Sequence, residues 1–209
     1  EVVGDKLLAQ GFPAVHAVGR AAARAPRLVE LTWGKARDPL VTLVGKGVCF
    51  DSGGLDLKSA DGMRLMKKDM GGAANALGLA QMIMALALPV RLQLLIPAVE
   101  NAVAGNAFRP GDIFKTRAGL HIEIGNTDAE GRVILCDALA YGAEGRPDLM
   151  IDLATLTGAA RTALGPALPA LFCRDLAMAR EIVDLGLQLR DPLWHMPLWR
   201  DYHGLIESD

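Results

Sequence analysis

The sequence predicts an α/β fold with a mostly parallel central sheet and helices on both of its faces. Three observations lead to this prediction. Short apolar runs rich in branched residues alternate with longer runs of helical character. The main apolar runs lack polar alternation, which is typical of strands buried on both faces. The segments follow the order β-α-β-β-α-β-α, which is typical of a parallel sheet covered by helices.

The first predicted elements are two strands and the helix between them. The run PLVTLVG (Pro39–Gly45) predicts a buried strand because it is a run of branched apolar residues without polar alternation. GGAANALGLAQMIMALAL (Gly71–Leu88) predicts a helix, and the following Pro89 would end it. VRLQLLIPAV (Val90–Val99) predicts the next strand of the sheet.

Four further elements complete the predicted order. GLHIEIGN (Gly119–Asn126) predicts a strand, and the segment from Glu130 to Gly145 predicts a helix. DLMIDLA (Asp148–Ala154) predicts another buried strand. RDLAMAREIVDLGLQLR (Arg174–Arg190) has the apolar spacing of an amphipathic helix. The sequence contains no internal repeat and no low-complexity linker.

Composition and charge exclude several classes of protein. The chain has 209 residues, of which 51% are hydrophobic and 22% charged, as expected for one globular domain or a large part of one. A net charge of −2 with dispersed Lys and Arg residues argues against a nucleic-acid or membrane surface. The longest apolar stretch, LGLAQMIMALALPV, is interrupted by Gln81 and Pro89. It is shorter than the roughly 20 residues that span a bilayer.

The three cysteines do not predict a disulfide framework. Cys49, Cys136 and Cys173 are odd in number and form no CxxC pair. Their apolar neighbours predict buried thiols in a reducing compartment, with a reactive cysteine as the alternative.

Polar groups follow three of the predicted strands. KGVCFDSGG follows the strand at Pro39–Gly45, NTDAEGR follows that at Gly119–Asn126, and TLTG (Thr155–Gly158) follows that at Asp148–Ala154. Ligands of open α/β sheets bind at the carboxyl ends of the strands. We therefore expect these three groups to lie close together.

The segment NTDAEGR (Asn126–Arg132) has two interpretations. Thr127 and Glu130 have the spacing of a capping box at the start of the following helix. Alternatively, the two carboxylates of the segment bind metal and Arg132 binds an anion. The two interpretations are compatible with each other.

A larger set of charged residues predicts a site for cations. The acidic candidates are Asp51, Asp69, Asp128 and Glu130, whose four negative charges two divalent cations would neutralise. A site rich in oxygen ligands suits zinc, manganese or magnesium. Taken singly, Asp51 and Asp69 fit turn or cap positions, and Lys46 and Lys58 fit surface turns. Their joint position beyond the strand ends favours a shared site.

Other catalytic chemistries fit the sequence less well. FDSGG resembles the nucleophile segment of chymotrypsin-like proteases, but those are β-barrels, and no fitting His and Asp segments occur here. No GxSxG, P-loop or GxGxxG motif is present. The four histidines are scattered without an HExxH pair, and His121 fits a sheet position better than a ligand position.

Four motifs together resemble a known family. VGKGVCFDSGG, MKKDMGGAA, NTDAEGR and DLATLTGA are similar, in the same order and at compatible separations, to segments of the leucyl aminopeptidase (cytosol aminopeptidase) family of two-metal exopeptidases. The resemblance extends from about Leu40 to Phe172 and is weaker before Leu40. PLWRDYHGLIESD resembles a downstream family segment. The resemblance implies that residues 1–209 are a catalytic α/β domain, incomplete at its C-terminal end and without the family's N-terminal domain.

The resemblance also implies a set of metal ligands. By it, Asp51 and Glu130 bridge two divalent cations. Asp128, helped by its backbone carbonyl, completes an exchangeable first site, and Lys46 and Asp69 complete a tighter second site. Lysine can act as a ligand only after its amine loses a proton, and neighbouring dications favour that loss.

The remaining implied roles concern the substrate. Lys58 and Arg132 stay charged and face the reacting carbonyl group, and Arg132 holds a bicarbonate that relays a proton. The pocket for the first side chain and the amine of the substrate is formed by Met66, Thr155, Gly158 and the backbone carbonyl of Leu156. By the resemblance, the protein is a cytoplasmic metallo-aminopeptidase and a homo-hexamer. It releases leucine and other N-terminal residues from peptides by attack of a metal-activated water, with zinc or manganese, or alternatively magnesium or cobalt, as the metal.

The sequence supports three alternative functions less well than this one. A two-metal hydrolase acting on phosphoesters would share the carboxylates but would not explain the TLTG pocket or a lysine ligand. A non-catalytic, DNA-associated scaffold role is disfavoured by the acidic balance of the chain, although the full-length protein could carry such a role elsewhere. A catalytically inactive homologue is disfavoured because all seven metal and catalytic motif positions are present.

Overall fold

The computed structural model describes residues 1–206, so residues 207–209, the end of the segment PLWRDYHGLIESD, lie outside the described residues. The chain divides into two units, Glu1–Leu156 and Thr157–Asp209.

The first unit contains eight strands and five helices. In chain order these are β1 (Val2–Val3), α1 (Lys6–Ala9), α2 (Pro13–Gly19), β2 (Arg27–Trp33), β3 (Leu40–Gly45), β4 (Gly47–Asp51), α3 (Ala60–Met63), α4 (Gly71–Ala85), β5 (Arg91–Asn101), β6 (Ile113–Lys115), β7 (His121–Glu123), α5 (Glu130–Glu144) and β8 (Leu149–Leu153). Two short 3-10 turns, Met66–Met70 and Thr127–Ala129, come directly before α4 and α5.

Six of these strands form the central sheet, in the order β1-β2-β5-β3-β8 with β4 also paired to β5. β3 is parallel to β5 and to β8, and β4 is parallel to the end of β5. β1 and β2 join one edge in antiparallel register. The predicted α/β class with a mostly parallel sheet is therefore confirmed.

Helices cover both faces of the sheet, as predicted. On one face, Leu43 of β3 belongs to an apolar cluster with Ala76 and Ala80 of α4. On the other face, its neighbour Val44 belongs to a cluster with Val15 of α2 and Ile134 of α5. Successive side chains of a strand point to opposite faces. Both faces are apolar here, which explains why the β3 sequence shows no polar alternation.

One predicted strand has a different place in the structure. The segment Gly119–Asn126 was expected to form a strand of the central sheet, but only His121–Glu123 is extended, and it pairs antiparallel with β6 in a separate hairpin. Only Ile122 of these three residues is partly buried. Too little of this run is apolar for it to pack as a central strand. The expectation that NTDAEGR follows a strand of the central sheet is therefore wrong.

The segment KGVCFDSGG also differs from a simple loop, because Gly47–Asp51 forms β4. A Cβ atom on Gly47 would lie 2.7 Å from the carbonyl oxygen of Pro97, so only glycine allows this close approach to β5. The Lys46 backbone holds neighbouring elements together. Its N–H donates to Leu153 O over 2.9 Å, and its carbonyl accepts from Ala73 N over 2.9 Å.

The second unit contains α6 (Gly158–Leu164), β9 (Ala170–Leu171), α7 (Leu176–Leu189), β10 (Trp194–His195) and a 3-10 turn at Arg200–Ile206. β9 and β10 pair in parallel. The helix predicted at Arg174–Arg190 is confirmed as α7. Its start is set by Asp175, whose carboxylate accepts from the backbone N–H groups of Ala177 and Met178. Across residues 1–206, no helix has the length and apolar composition needed to cross a membrane.

The cysteine prediction is only partly correct. All three thiols are free, as expected, but Cys49 is exposed, and Cys136 and Cys173 are only partly buried. In β4 the Cys49 side chain points away from the buried side that Val48 occupies. Burial, together with the adjacent Asp137 carboxylate, raises the pKa of the Cys136 thiol to about 12, which keeps this thiol protonated and unreactive.

Candidate metal centre

The first half of the site is built around Lys46, which lies between β3 and β4. Its Nζ lies 2.8 Å from Asp69 Oδ2 and 2.9 Å from Glu130 Oε1. Asp69 comes from the 3-10 turn before α4, and Glu130 is the first residue of α5. All three side chains are almost completely buried. Two acidic residues that are distant in sequence thus share one buried ammonium group.

The second half of the site is built around Lys58. Its Nζ lies 3.0 Å from Asp51 Oδ2 and forms an ion pair with Asp128 Oδ1. Asp51 ends β4 and is buried, whereas Asp128 lies in the 3-10 turn before α5 and is half-buried.

The two halves form one acidic centre. Ligand atoms of Asp51, Asp128 and Glu130 all lie within 4.8 Å of one another. Four carboxylates and two ammonium groups leave the centre with an excess of two negative charges when all six are ionised. Such an excess is costly inside a protein unless a cation compensates it.

This crowding changes the pKa values of the acids. Burial, together with the nearby Asp51 and Asp69 carboxylates, raises the pKa of Glu130 from 4.5 to about 7, although Lys46 acts in the opposite direction. Burial and the Asp51 carboxylate likewise raise the pKa of Asp128, against the effect of Lys58. Both carboxyl groups therefore gain if positive charge is added to the centre.

The two lysines respond in a complementary way. Burial alone would lower the pKa of Lys46, but the Glu130 and Asp69 carboxylates outweigh it and raise this pKa. Burial also opposes the charge of Lys58, and hydrogen bonds to Asp128 and Asp51 raise its pKa. Both amines are ammonium groups in this arrangement.

The donor set fits divalent cations. Among the described residues, no donor hydrogen-bonds to the buried Oε2 of Glu130. An unsatisfied buried carboxylate oxygen is rare and costly, and a metal ion would satisfy it. Carboxylate oxygens are ligands that magnesium, manganese and zinc accept.

Neighbouring residues orient the carboxylates of Asp51 and Asp69 so that one oxygen of each faces a lysine. Asp51 Oδ1 accepts from Gly53 N over 2.8 Å and from Asn101 Nδ2 over 2.9 Å. Asp69 Oδ1 accepts from Thr155 Oγ1 over 2.7 Å. Fixing one oxygen of a carboxylate in this way sets the direction of the other.

Gly131 leaves room for the Lys46 side chain at the start of α5. A Cβ atom at this position would lie 2.5 Å from Lys46 Cε and 2.7 Å from Lys46 Nζ. Any larger residue would therefore displace the ammonium group from Asp69 and Glu130.

The other predicted site residues are placed less centrally. Arg132 is exposed in the first turn of α5, and none of residues 1–206 forms an ion pair or hydrogen bond with its guanidinium group. Met66 is half-buried at the start of its 3-10 turn, and Leu156 is exposed at the end of the first unit. Gly158 belongs to the second unit, where it begins α6. The structure thus brings together the predicted acids, the two lysines and Thr155, but places Arg132 outside this network of contacts.

The capping-box interpretation of Thr127 and Glu130 is wrong. The residue before α5 is Ala129, and no side chain caps this helix. Asn126 instead caps the preceding 3-10 turn, with its Oδ1 accepting from Asp128 N over 2.7 Å. The Thr127 hydroxyl oxygen instead accepts from Asp56 N over 2.8 Å, while its O–H donates to Gly53 O, so both of its partners lie in a distant loop and not in the helix.

Two residues of the site were missed in the sequence. Asn101 ends β5 and donates through Nδ2 both to Asp51 and to the backbone carbonyl of Thr127. Its position two residues after the predicted strand Val90–Val99 is the signal that could have identified it. Thr127 offered no comparable signal, because the partners of its hydroxyl group lie more than 70 residues away.

Comparison with protein families gives a match over the whole chain. The model described as "Cytosol aminopeptidase family, catalytic domain" matches residues 1–209. A probable cytosol aminopeptidase of Dechloromonas aromatica is 48% identical over 200 residues, which cover 95% of this chain and 40% of that protein. A probable cytosol aminopeptidase of Xylella fastidiosa is 46% identical over 202 residues, which cover 96% of this chain and 41% of that protein.

Solved structures agree with this match. The cytosol aminopeptidase from Coxiella burnetii superposes with a TM-score of 0.96 at 59% identity, covering 100% of this chain and 46% of that one. The bottromycin maturation enzyme BotP in complex with Mn superposes with a TM-score of 0.93 at 40% identity, covering 99% of this chain and 46% of that one. Leucyl aminopeptidase from Trypanosoma brucei in complex with bestatin superposes with a TM-score of 0.92 at 37% identity, covering 98% of this chain and 40% of that one. The chain spans less than half the length of each of these proteins.

Proposed function

The chain belongs to the cytosol aminopeptidase family, and from this membership and the acidic centre we propose that it is the catalytic portion of a metal-dependent aminopeptidase. The enzyme would release leucine and other N-terminal residues from peptides. The observation that carries this proposal is the convergence of Asp51, Asp69, Asp128 and Glu130 around the buried Lys46 and the half-buried Lys58.

The family is metal-dependent, and the acidic cluster could hold a metal ion. In the proposed arrangement, Asp51 and Glu130 would help to hold both of two divalent cations. Asp128, with its backbone carbonyl, would complete the more exchangeable site, and Lys46 and Asp69 would complete the tighter one. When bound, the cations would supply Lewis acidity and lower the pKa of a water molecule so that it can attack the peptide carbonyl.

Zinc or manganese is the proposed metal, with magnesium and cobalt as the alternatives. The carboxylate ligands suit all of these ions, and the presence of Mn with the similar BotP supports manganese in particular.

The Lys46 amine must lose its proton before it can act as a ligand. Since Glu130 and Asp69 raise its pKa, the incoming cation has to displace this proton. Metal binding is therefore expected to release protons and to strengthen as the pH rises.

Lys58 is proposed to stabilise negative charge on the substrate carbonyl oxygen during the reaction. Its ammonium group is held between Asp51 and Asp128, so its position is set before substrate binds. A preorganised charge of this kind contributes more in the transition state than a mobile one.

Arg132 is proposed to hold a bicarbonate ion, which would supply a group able to relay a proton. This role fits an exposed guanidinium without a partner among the described residues, because such a group presents several donors to a planar oxyanion.

The substrate pocket is proposed to include Met66, Thr155 and the backbone carbonyl of Leu156. Gly158 is proposed separately as a substrate-binding residue of the second unit. The Thr155 hydroxyl donates to Asp69, and the Thr155 carbonyl accepts from Lys46 Nζ over 3.2 Å. A residue in this position links the substrate pocket to the metal ligands.

We propose further that residues 1–209 are part of a longer catalytic domain that an N-terminal domain precedes, because the chain covers only 40–46% of the relatives and structures described above. The full-length protein would be cytoplasmic and would assemble as a homo-hexamer. Its partners would be peptides with a free N-terminus, and neither a membrane nor nucleic acid.

The proposed function is tested by metal-dependent hydrolysis in the full-length protein. The substrates are a leucyl anilide, its N-acetylated form and a phenyl phosphate ester. We expect rapid hydrolysis of the free-amine anilide alone, abolished by Asp51→Asn but retained in Asp61→Asn, a control at an exposed acid in α3. Equal hydrolysis of the N-acetylated substrate, preference for the phosphate ester, or full activity of Asp51→Asn would contradict the proposal.

A further inference from the structure

Thr127 is a fully buried threonine that joins two loops of the centre. Its side chain and backbone are 0% exposed. Its Oγ1 donates to Gly53 O over 2.7 Å and accepts from Asp56 N over 2.8 Å, and its N–H donates to Asp56 Oδ2 over 2.7 Å. Gly53 and Asp56 belong to the loop that carries Lys58, whereas Thr127 directly precedes Asp128.

A further hydrogen bond connects Thr127 to the acid at the end of β4. The Thr127 carbonyl accepts from Asn101 Nδ2 over 3.1 Å, and the same Nδ2 donates to Asp51 Oδ1 over 2.9 Å. The hydrogen bonds that join Thr127, Gly53, Asp56 and Asn101 are called the Thr127 clasp below.

The backbone around the clasp is built for close packing. Gly54 has a positive φ of +68°, and a Cβ atom there would lie 2.9 Å from Asn101 Oδ1 and 3.0 Å from Thr127 Oγ1. Glycine therefore allows the loop to reach Thr127 in a conformation that other residues avoid.

The clasp supports one half of the centre only. It connects the segments that hold Asp51, Lys58 and Asp128, the residues of the Lys58 half. In the other half, Asp69 is oriented by Thr155, which has no hydrogen bond to the clasp residues.

From this arrangement we infer that Thr127 is a positioning residue, which sets the place of Lys58 and Asp128 through the clasp without contacting cation or substrate itself. The inference rests on the proposed function for the role of Lys58 in hydrolysis. Its effect on cation binding follows from the position of Asp128 and can be measured separately. Loss of an interaction that orients a ligand typically weakens metal binding or activity by about 10–100-fold.

The test uses Thr127→Val and Thr127→Ser in the full-length protein. Valine keeps the shape but removes the donor to Gly53 and the acceptor for Asp56, whereas serine keeps both. The matched control is Thr116→Val, at a buried threonine whose hydroxyl donates to Leu120 O over 3.0 Å, outside the centre. Titration of the metal-free protein with Mn²⁺, in competition with a chromogenic chelator, gives the affinities of both sites, and leucyl anilide hydrolysis gives kcat and KM.

We expect Thr127→Val to weaken the more weakly binding site by about 10–100-fold and to lower kcat more than KM. The tighter site should weaken less, because it shares Asp51 with the clasp but takes Asp69 from the other half of the centre. Thr127→Ser and Thr116→Val should stay within about threefold of the parent. The inference would be overturned if the cation affinities and kcat of Thr127→Val equalled those of the parent, or if both cation sites were weakened equally.

Asp56→Ala provides a second variant if Thr127→Val does not fold, because Asp56 is exposed and its side chain accepts from Thr127 N. Its control is Asp61→Ala, which removes an acid of the same loop region without touching Thr127. Selective weakening of one site in Asp56→Ala alone supports the clasp, and no difference from Asp61→Ala refutes it. If the parent binds two cations but hydrolyses no peptide, the proposed function fails while the affinity measurements still decide on the clasp.

Discussion

Glu130 should make the stability of the metal-free protein fall as the pH rises from about 4.5 to about 7. The pKa of this carboxyl is raised from 4.5 to about 7, chiefly because it is buried and lies near the Asp51 and Asp69 carboxylates. In this pH range the folded protein keeps a proton on Glu130 that the unfolded chain has lost. Stability decreases with pH wherever the folded state binds more protons than the unfolded state.

The size of the effect follows from the pKa difference. At about 1.36 kcal/mol for each pKa unit, the raised pKa of Glu130 corresponds to about 3 kcal/mol of unfolding free energy, lost between the two pKa values. Glu130 is 1% exposed, so solvent does little to screen the effect. The raised pKa of Asp128 acts in the same direction.

The assay compares the parent with Glu130→Gln in urea unfolding between pH 4 and pH 8, after removal of metal by chelation. Glutamine has nearly the same size but cannot ionise, so the difference between the two proteins isolates Glu130 from the other titrating groups. We expect the variant to gain about 3 kcal/mol relative to the parent from the lowest to the highest pH. Glu181→Gln, at an exposed position of α7, is the control for loss of a carboxyl group.

Added Mn²⁺ should abolish this loss in the parent, because cations favour the ionised carboxylate. A difference between parent and Glu130→Gln that stays constant from pH 4 to pH 8 would refute the assignment of Glu130 to a crowded, buried acidic centre. A parent that gains stability relative to the variant as the pH rises would refute it as well.

Two further substitutions test other parts of the structure. Lys58→Gln should lower the turnover of leucyl anilides by about 10²–10³-fold with unchanged metal content, because it removes a preorganised charge. Steady-state kinetics together with metal analysis measures this. A turnover in Lys58→Gln equal to that of the parent would exclude the role of Lys58. Asp137→Ala should lower the unfolding free energy, measured in urea, by about 1–3 kcal/mol. It removes the carboxylate that accepts from the buried N–H of Ala14 over 2.7 Å and from the part-buried N–H of Arg117 over 2.8 Å. An unchanged urea midpoint would contradict this second prediction.

The strands and helices that could be predicted from the sequence are those whose own residues bury apolar surface on both sides. In β3, Leu43 packs towards α4 and Val44 towards α2 and α5, so the apolar run alone indicates a central strand. α4 begins at the predicted Gly71 and ends at Ala85, before Pro89.

The elements that could not be predicted depend on partners far away in the chain. β4 is a glycine-containing segment that becomes a strand only because the end of β5 lies beside it. β7 was expected in the central sheet, but its three residues pair with β6 instead, and this choice depends on a short partner strand that the sequence pattern did not indicate.

The acidic centre was predicted from the rule that ligands bind at the carboxyl ends of sheet strands. This rule holds for only some residues of the centre. Asp51 lies at the carboxyl end of a sheet strand, as the rule requires. Asp128 and Glu130 do not follow a strand of the central sheet, and they reach the centre because α5 packs on the sheet and presents its first turn there. The support from Asn101 and Thr127 consists of hydrogen bonds between distant loops, which no local pattern contains.

Metal stoichiometry tests the acidic centre most directly. The full-length protein is stripped with a chelator, titrated with Mn²⁺ or Zn²⁺ and analysed by native mass spectrometry, with leucyl anilide hydrolysis followed in the same samples. We predict that the parent binds two cations per chain and recovers activity as they bind, and that Asp51→Ala loses at least one of them together with the activity. Two cations and full activity in Asp51→Ala, or activity in the stripped parent, would contradict the proposed centre.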